Sequence, residues 1–145
     1  MHISELVAEL GANLGISLQM SDAGTCRVIF GDDAVDFEQS GETLYIMAEL
    51  APATGREDAY ARLLAANWLG AESGGACIGL DEEKNSFALW ATERGDVPYP
   101  EFEARLTLFI KALRYWKEWL SLPAAEPANQ TEDQQPPGMY GMIRV

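Results

Sequence analysis

Residues 63–81 read LLAANWLGAESGGACIGLD. The first half has helical spacing: with Tyr60 just upstream, Leu63, Leu64 and Trp68 share one face, and Gly70 is well placed to stop the helix. Ser73-Gly74-Gly75 then makes a flexible link into Cys77, Ile78 and Leu80, and Asp81 to Asn85 reverses the chain into Phe87, Leu89 and Trp90. A helix delivered into a two-strand hairpin points to an α+β fold.

Upstream, Pro52 and Gly55 break the chain, and Thr54 with Glu57 three residues later predicts a capping box at the helix start. Before that break three runs alternate with period two: Cys26, Val28 and Phe30; Val35 and Phe37; and Leu44, Ile46, Ala48 and Leu50. Asp32-Asp33 and Ser40-Gly41 separate them, so the three strands form an antiparallel meander. At the start of the chain Ile3, Leu6, Val7, Leu10 and Leu14 recur at steps of three and four, which predicts an amphipathic helix ending near Gly15.

Downstream, Pro98 and Pro100 open the longest helix. Its Phe102, Leu106, Phe109, Ile110, Leu113, Trp116 and Leu120 keep helical spacing, widened by Tyr115 and Trp119, until Pro123. The order is helix, three-strand meander, helix, two-strand hairpin, helix, in one domain over residues 1–122. Residues 123–145 read as a flexible tail: Pro, Gln, Glu and Ala dominate up to Gly138, and the apolar end Met139-Tyr140-Gly141-Met142-Ile143-Arg144-Val145 suits docking on its own domain or on a partner.

With 145 residues and 48% hydrophobic content, the chain can fill one real core. A formal charge of −13 weighs against nucleic acid and anionic membranes, because phosphate binding draws on clustered Lys and Arg. The sequence has neither an apolar run of about 20 residues nor the basic head of a signal peptide, so a cytoplasmic protein is expected. Cys26 and Cys77 have neither disulfide-framework nor metal-pair spacing and read as small buried apolar side chains.

Reactive chemistry is hard to assemble. The one histidine is His2, so a nucleophile has no partnered base, and no zinc or calcium ligand pattern appears around Asp32, Asp33 and Asp36. Gly70 to Gly75 lacks the Lys-Ser or Lys-Thr of a phosphate loop and leads into a strand. Glu82, Glu83 and Glu93 fall largely at a hairpin tip, where carboxylates stay ordinary. Neither a catalytic site, nor a metal, nor a cofactor is expected. Three helices cannot enclose this sheet on both faces, so some strand residues stay open to a partner.

The run Leu63 to Gly70, continuing through Gly74-Gly75-Ala76 to Ile78-Gly79-Leu80-Asp81, resembles the signature of the Tir-chaperone (CesT-like) family of type III secretion chaperones. Leu89-Trp90 and then Phe102, Leu106, Phe109 and Trp116 follow in the family's order, so the resemblance covers residues 3 to 120. It implies a homodimer, with Leu64, Asn67, Trp68, Ile78 and Leu80 at or near the interface. It also implies that the chain binds the extended N-terminal segment of a secreted effector, keeping it soluble and ready for export. On that reading Val28, Phe30, Val35, Phe37 and Met47 face the effector, supported by Leu6 and Leu10. Two other readings compete: a regulatory protein on the same fold that sequesters a transcriptional regulator, and a small ligand-binding domain or enzyme built around the four Trp.

Overall fold

The computed structural model of the chain describes residues 2–123, so residues 124–145, and with them the predicted tail and its apolar end, lie outside the described residues. The periodic segment at the start forms α1 (Ile3–Leu14), which buries Ile3, Leu6, Val7 and Leu10. The Glu5 carboxylate accepts a hydrogen bond from the His2 backbone N–H at 2.8 Å, filling one of the donors a helix start leaves open. Gly15, at φ 74°, takes the left-handed turn that ends it.

The meander follows as β1 (Thr25–Phe30), β2 (Asp33–Ser40) and β3 (Thr43–Pro52). A one-turn 3-10 segment, Glu57–Ala59, leads into α2 (Tyr60–Asn67); β4 (Cys77–Asp81), β5 (Ser86–Arg94) and α3 (Tyr99–Ser121) complete the domain. All neighbouring strands are antiparallel, in the order β1-β2-β3-β5-β4, which leaves β1 and β4 as the edges.

Successive side chains of a strand point to opposite faces, and the register aligns one parity across the sheet. Cys26, Phe37, Ile46 and Ala91 stand in one cross-strand row, with Val28 beside Val35 and Ala48 beside Leu89 in neighbouring rows. Helices cover this face: α3 packs on β3 and β5, α1 packs on α3, and α2 lies against β4. The stripe of α3 (Phe102, Leu106, Phe109, Leu113, Trp116, Leu120) is buried with the strand residues in a single core. Among the described residues no helix covers the opposite parity.

Three local expectations are corrected. Thr54 and Glu57 form no capping box: the Thr54 hydroxyl instead accepts from the Asn85 side chain at 2.7 Å, tying the start of the second helical segment to the β4–β5 turn. The second helix stops at Asn67 rather than Gly70, and Trp68–Gly70 is a separate 3-10 turn. Cys26 and Cys77 are free thiols that are half-buried rather than buried, because both lie on edge strands.

The β1–β2 hairpin is clamped to α3. Asp33, almost fully buried at the start of β2, accepts from Arg114 at 3.0 Å and from Lys117 at 2.8 Å, while Arg114 also donates to the Phe30 carbonyl at 3.3 Å. Burial alone would push the Asp33 carboxyl pKa up, but the hydrogen bonds and charges of Lys117 and Arg114 outweigh it and hold the pKa below the usual aspartate value. A carboxyl with a depressed folded-state pKa stabilises the fold above the unfolded-state value, about 4, and loses that contribution as pH falls below it. Asp33→Asn should therefore cost on the order of 1–3 kcal/mol near neutral pH. In melting experiments its deficit against the wild-type chain should shrink as pH drops from about 5 toward 3; a deficit that is the same at both ends contradicts the clamp.

Candidate protein-binding surfaces

α2 ends early because Asn67 turns its side chain onto the sheet. The side-chain amide brackets Ile78, accepting from its N–H at 2.9 Å and donating to its carbonyl at 3.3 Å, so it mimics a neighbouring strand at the outer edge of β4. The chain then turns so tightly that Leu69 sits at φ 57°, a left-handed conformation costing a residue with a Cβ about 1 kcal/mol or more. The result is a cluster of large apolar side chains in water: Leu64, Trp68 and Leu69 are each at least 70% exposed, and Leu80 of β4 is 42% exposed. Between α2 and β4 lies an apolar depression of about 230 Å³ lined by Tyr60, Leu63, Leu64, Ile78, Leu80 and Phe87. Its floor is firm, with Tyr60 edge-on to Phe87 at 5.9 Å.

The glycine-rich link behind this cluster is structural. Glu72 pairs with Arg62 at 2.5 Å, its carbonyl accepts the Trp116 indole N–H at 2.7 Å, and the buried Ser73 hydroxyl donates to the Ala76 carbonyl at 2.6 Å. A Cβ on Gly74 would stand 2.6 Å from the Leu108 carbonyl oxygen, so only glycine lets the loop lie on α3.

The second surface is the bare face of the sheet. One row runs across all five strands: Arg27, Asp36, Met47, Trp90 and Cys77. Arg27 and Asp36 are joined by two hydrogen bonds of 2.7 and 2.9 Å. Ile29 at 58%, Tyr45 at 37% and Trp90 at 40% exposure add apolar area, and Met47 is half-buried. The centre of this face is a shallow depression of about 760 Å³ whose apolar floor (Met47, Ala51, Ala88, Trp90) is ringed by Asp32, Asp36, Glu49, Lys84 and Lys117.

The dimer residues expected from sequence are brought together: Leu64, Asn67, Trp68, Ile78 and Leu80 occupy one side of the α2–β4 unit. Leu64, Trp68 and Leu80 are exposed, Asn67 is half-buried, and Ile78 is nearly buried. Sequence reasoning omitted Leu69 because it lies off the helical stripe; only its backbone turn brings it out. The client-facing residues need correction as open surface. Leu6, Leu10, Val28, Val35 and Phe37 are core, since their parity faces the helices, and Phe30 is half-buried on that same side. Only Met47 belongs to the bare face; Ile29, Tyr45 and Trp90 were passed over. Their signal was present as the other half of each alternation.

Among the described residues no group of His, Cys, Asp or Glu is arranged to hold a metal ion, and no helix is long and apolar enough to cross a membrane. Burial pushes the Cys26 thiol pKa up against a weaker opposing hydrogen bond from the Gln19 backbone, which leaves it a poor nucleophile.

The sequence profile of the Tir chaperone protein (CesT) family matches residues 5–117. Among solved structures, a chain of the HopA1–SchA chaperone–effector complex is 21% identical with a TM-score of 0.68, over 79% of this chain and 91% of that one. A chain of the ExsC–ExsE complex is also 21% identical with a TM-score of 0.68, over 83% and 97%. The Yersinia pestis type III secretion chaperone SycH, solved with a stable fragment of YscM2, yields a match 20% identical with a TM-score of 0.59, over 77% and 96%. At these identities the likeness is one of fold. No curated protein sequence matches the chain.

Gly74 and Gly75 separate backbone strain from collision. Both have positive φ, but a Cβ at Gly75 meets nothing within 4 Å. Gly75→Ala should cost about 1 kcal/mol, and Gly74→Ala a further 1–3 or so from the clash with α3. Chemical denaturation that finds equal losses would contradict the loop packing.

Proposed function

The chain belongs to the Tir chaperone protein (CesT) family, and from that membership we propose that it is a type III secretion chaperone for a secreted effector. It binds the effector's extended N-terminal segment and keeps that segment soluble and export-competent in the bacterial cytoplasm, without enzymatic activity. The observation that carries this reading is the family match over residues 5–117, on a domain whose two apolar surfaces both lie outside its core.

The two surfaces divide the work. The α2–β4 cluster is the homodimer contact. Its apolar residues form one contiguous patch that the same patch of a second copy can meet about a two-fold axis, and burying Leu69 there would offset its backbone strain. The bare sheet face, together with the unpaired outer edge of β1, takes the client. An extended segment can hydrogen-bond to edge amides while alternate side chains settle over Ile29, Tyr45, Met47 and Trp90. Such a site reads backbone and apolar side chains rather than one fixed motif, and it releases its client without chemistry.

Trp68→Glu tests the dimer assignment. Trp68 is 73% exposed in the single chain, so the substitution should leave the fold intact. A charge forced into the dimer contact is costly, so light scattering should report the 15.9 kDa chain in place of a species of twice that mass. A folded variant that remains dimeric would sink the assignment. For the client, co-expression with the secreted protein encoded beside it should yield a soluble complex through that protein's N-terminal segment. Absence of any complex or solubility gain for that partner and for other secreted proteins of the system would overturn the reading.

A further inference from the structure

We propose that residues 139–145 seat on the bare sheet face of their own domain and occupy it until a client displaces them. The docking itself stands on the geometry below; its displacement by a client rests on the function proposed above.

The chain leaves the domain beside that face. Lys117, one turn before the end of α3, lines the rim of the central depression along with Ala51 and Pro52 of β3. The carbonyl of Leu120 accepts a hydrogen bond from Arg56, four residues after Pro52, which fixes the end of α3 near the end of β3. Residue 123 therefore starts at the margin of the bare sheet.

The intervening chain has a suitable length. Residues 124–138 contain four Pro or Gly and no large apolar side chain. Fifteen residues of flexible chain have an end-to-end distance of roughly 20 Å, and five strands about 4.8 Å apart span roughly 19 Å. A tether matched to its span gives an effective concentration in the millimolar range.

The occupant is chemically matched as well. Met139, Tyr140, Met142, Ile143 and Val145 put five large apolar residues into a stretch of seven, suited to a floor of Met47, Ala88 and Trp90. The single cation, Arg144, meets a rim of four carboxylates (Asp32, Asp36, Glu49, Asp81) and three cations (Arg27, Lys84, Lys117), of which Arg27 already pairs with Asp36.

A tethered competitor of modest intrinsic affinity occupies its site for about half to nine tenths of the time and still yields to a better ligand. At millimolar effective concentration, a segment with an intrinsic Kd of about 0.1–1 mM lowers the apparent affinity of a client about 2- to 10-fold. The device would keep Trp90 and Met47 covered for a large share of the time when no client is present.

The test uses the full chain with methionine methyl groups labelled for NMR, comparing wild type with Ile143→Asp and Met142→Ser. Docking predicts that the Met47 methyl resonance shifts in both variants while Met20, packed against the helix-covered core, stays in place. Client titrations should then show about 2- to 10-fold tighter binding for the variants. An unmoved Met47 signal overturns the docking whatever the client does. A moved Met47 signal without tighter client binding upholds the docking and refutes the shared site. A perturbation that fades on dilution assigns the face to a tail from another molecule and also overturns the proposal.

Discussion

A strand divides its side chains between two faces, and this domain has helices enough for one. Everything outside the core depends on that constraint. The parity carrying Val28, Val35, Phe37, Ile46 and Leu89 meets α1 and α3 and becomes core. The parity carrying Arg27, Ile29, Tyr45, Met47 and Trp90 stays in contact with water. An uncovered sheet face with aromatic and aliphatic side chains is stable in a monomer only while charges are interspersed among them, and the Arg27–Asp36 pair and the rim carboxylates supply those charges. Apolar side chains and paired charges therefore share one surface, the one proposed above to take the client.

Long α3 holds the parts in register. Its buried indole, Trp116, fastens the glycine-rich link through the Glu72 carbonyl, and its Arg114 and Lys117 fasten the first hairpin through Asp33. The same helix touches both apolar surfaces: Gly74 must lie on the Leu108 carbonyl for α2 and β4 to present their apolar cluster, and Lys117 borders the bare face.

The sequence was legible where periodicity decides and silent where it cannot. Helix spacing identified α1 and α3 to within a residue or two, and alternation identified all five strands, because burying a stripe or a face leaves a pattern in the residue order. Alternation assigns residues to two sets without saying which set the helices cover, and for that reason Val28, Val35 and Phe37 were assigned to the client while Ile29 and Tyr45 were ignored. The Thr54–Glu57 box went unformed because Asn85, 31 residues away in sequence, competes for the Thr54 hydroxyl. Leu69 was invisible because its exposure comes from a left-handed turn imposed by Asn67 reaching across to Ile78. The exposed α2–β4 cluster, proposed above as the dimer contact, was picked out through family resemblance rather than through the pattern of the residues.

The function proposed above, binding without catalysis, draws only on what these surfaces offer: apolar area, edge amides and a few charges. The central claim is that the client lies on the face the helices leave bare. It is tested most directly by site-specific photo-crosslinking in the chaperone–client complex, with the reactive group at Tyr45 on the bare face or at Lys111 on the exposed side of α3. Capture of the client from Tyr45 and not from Lys111 is the predicted result; capture from Lys111 with none from Tyr45 would contradict it.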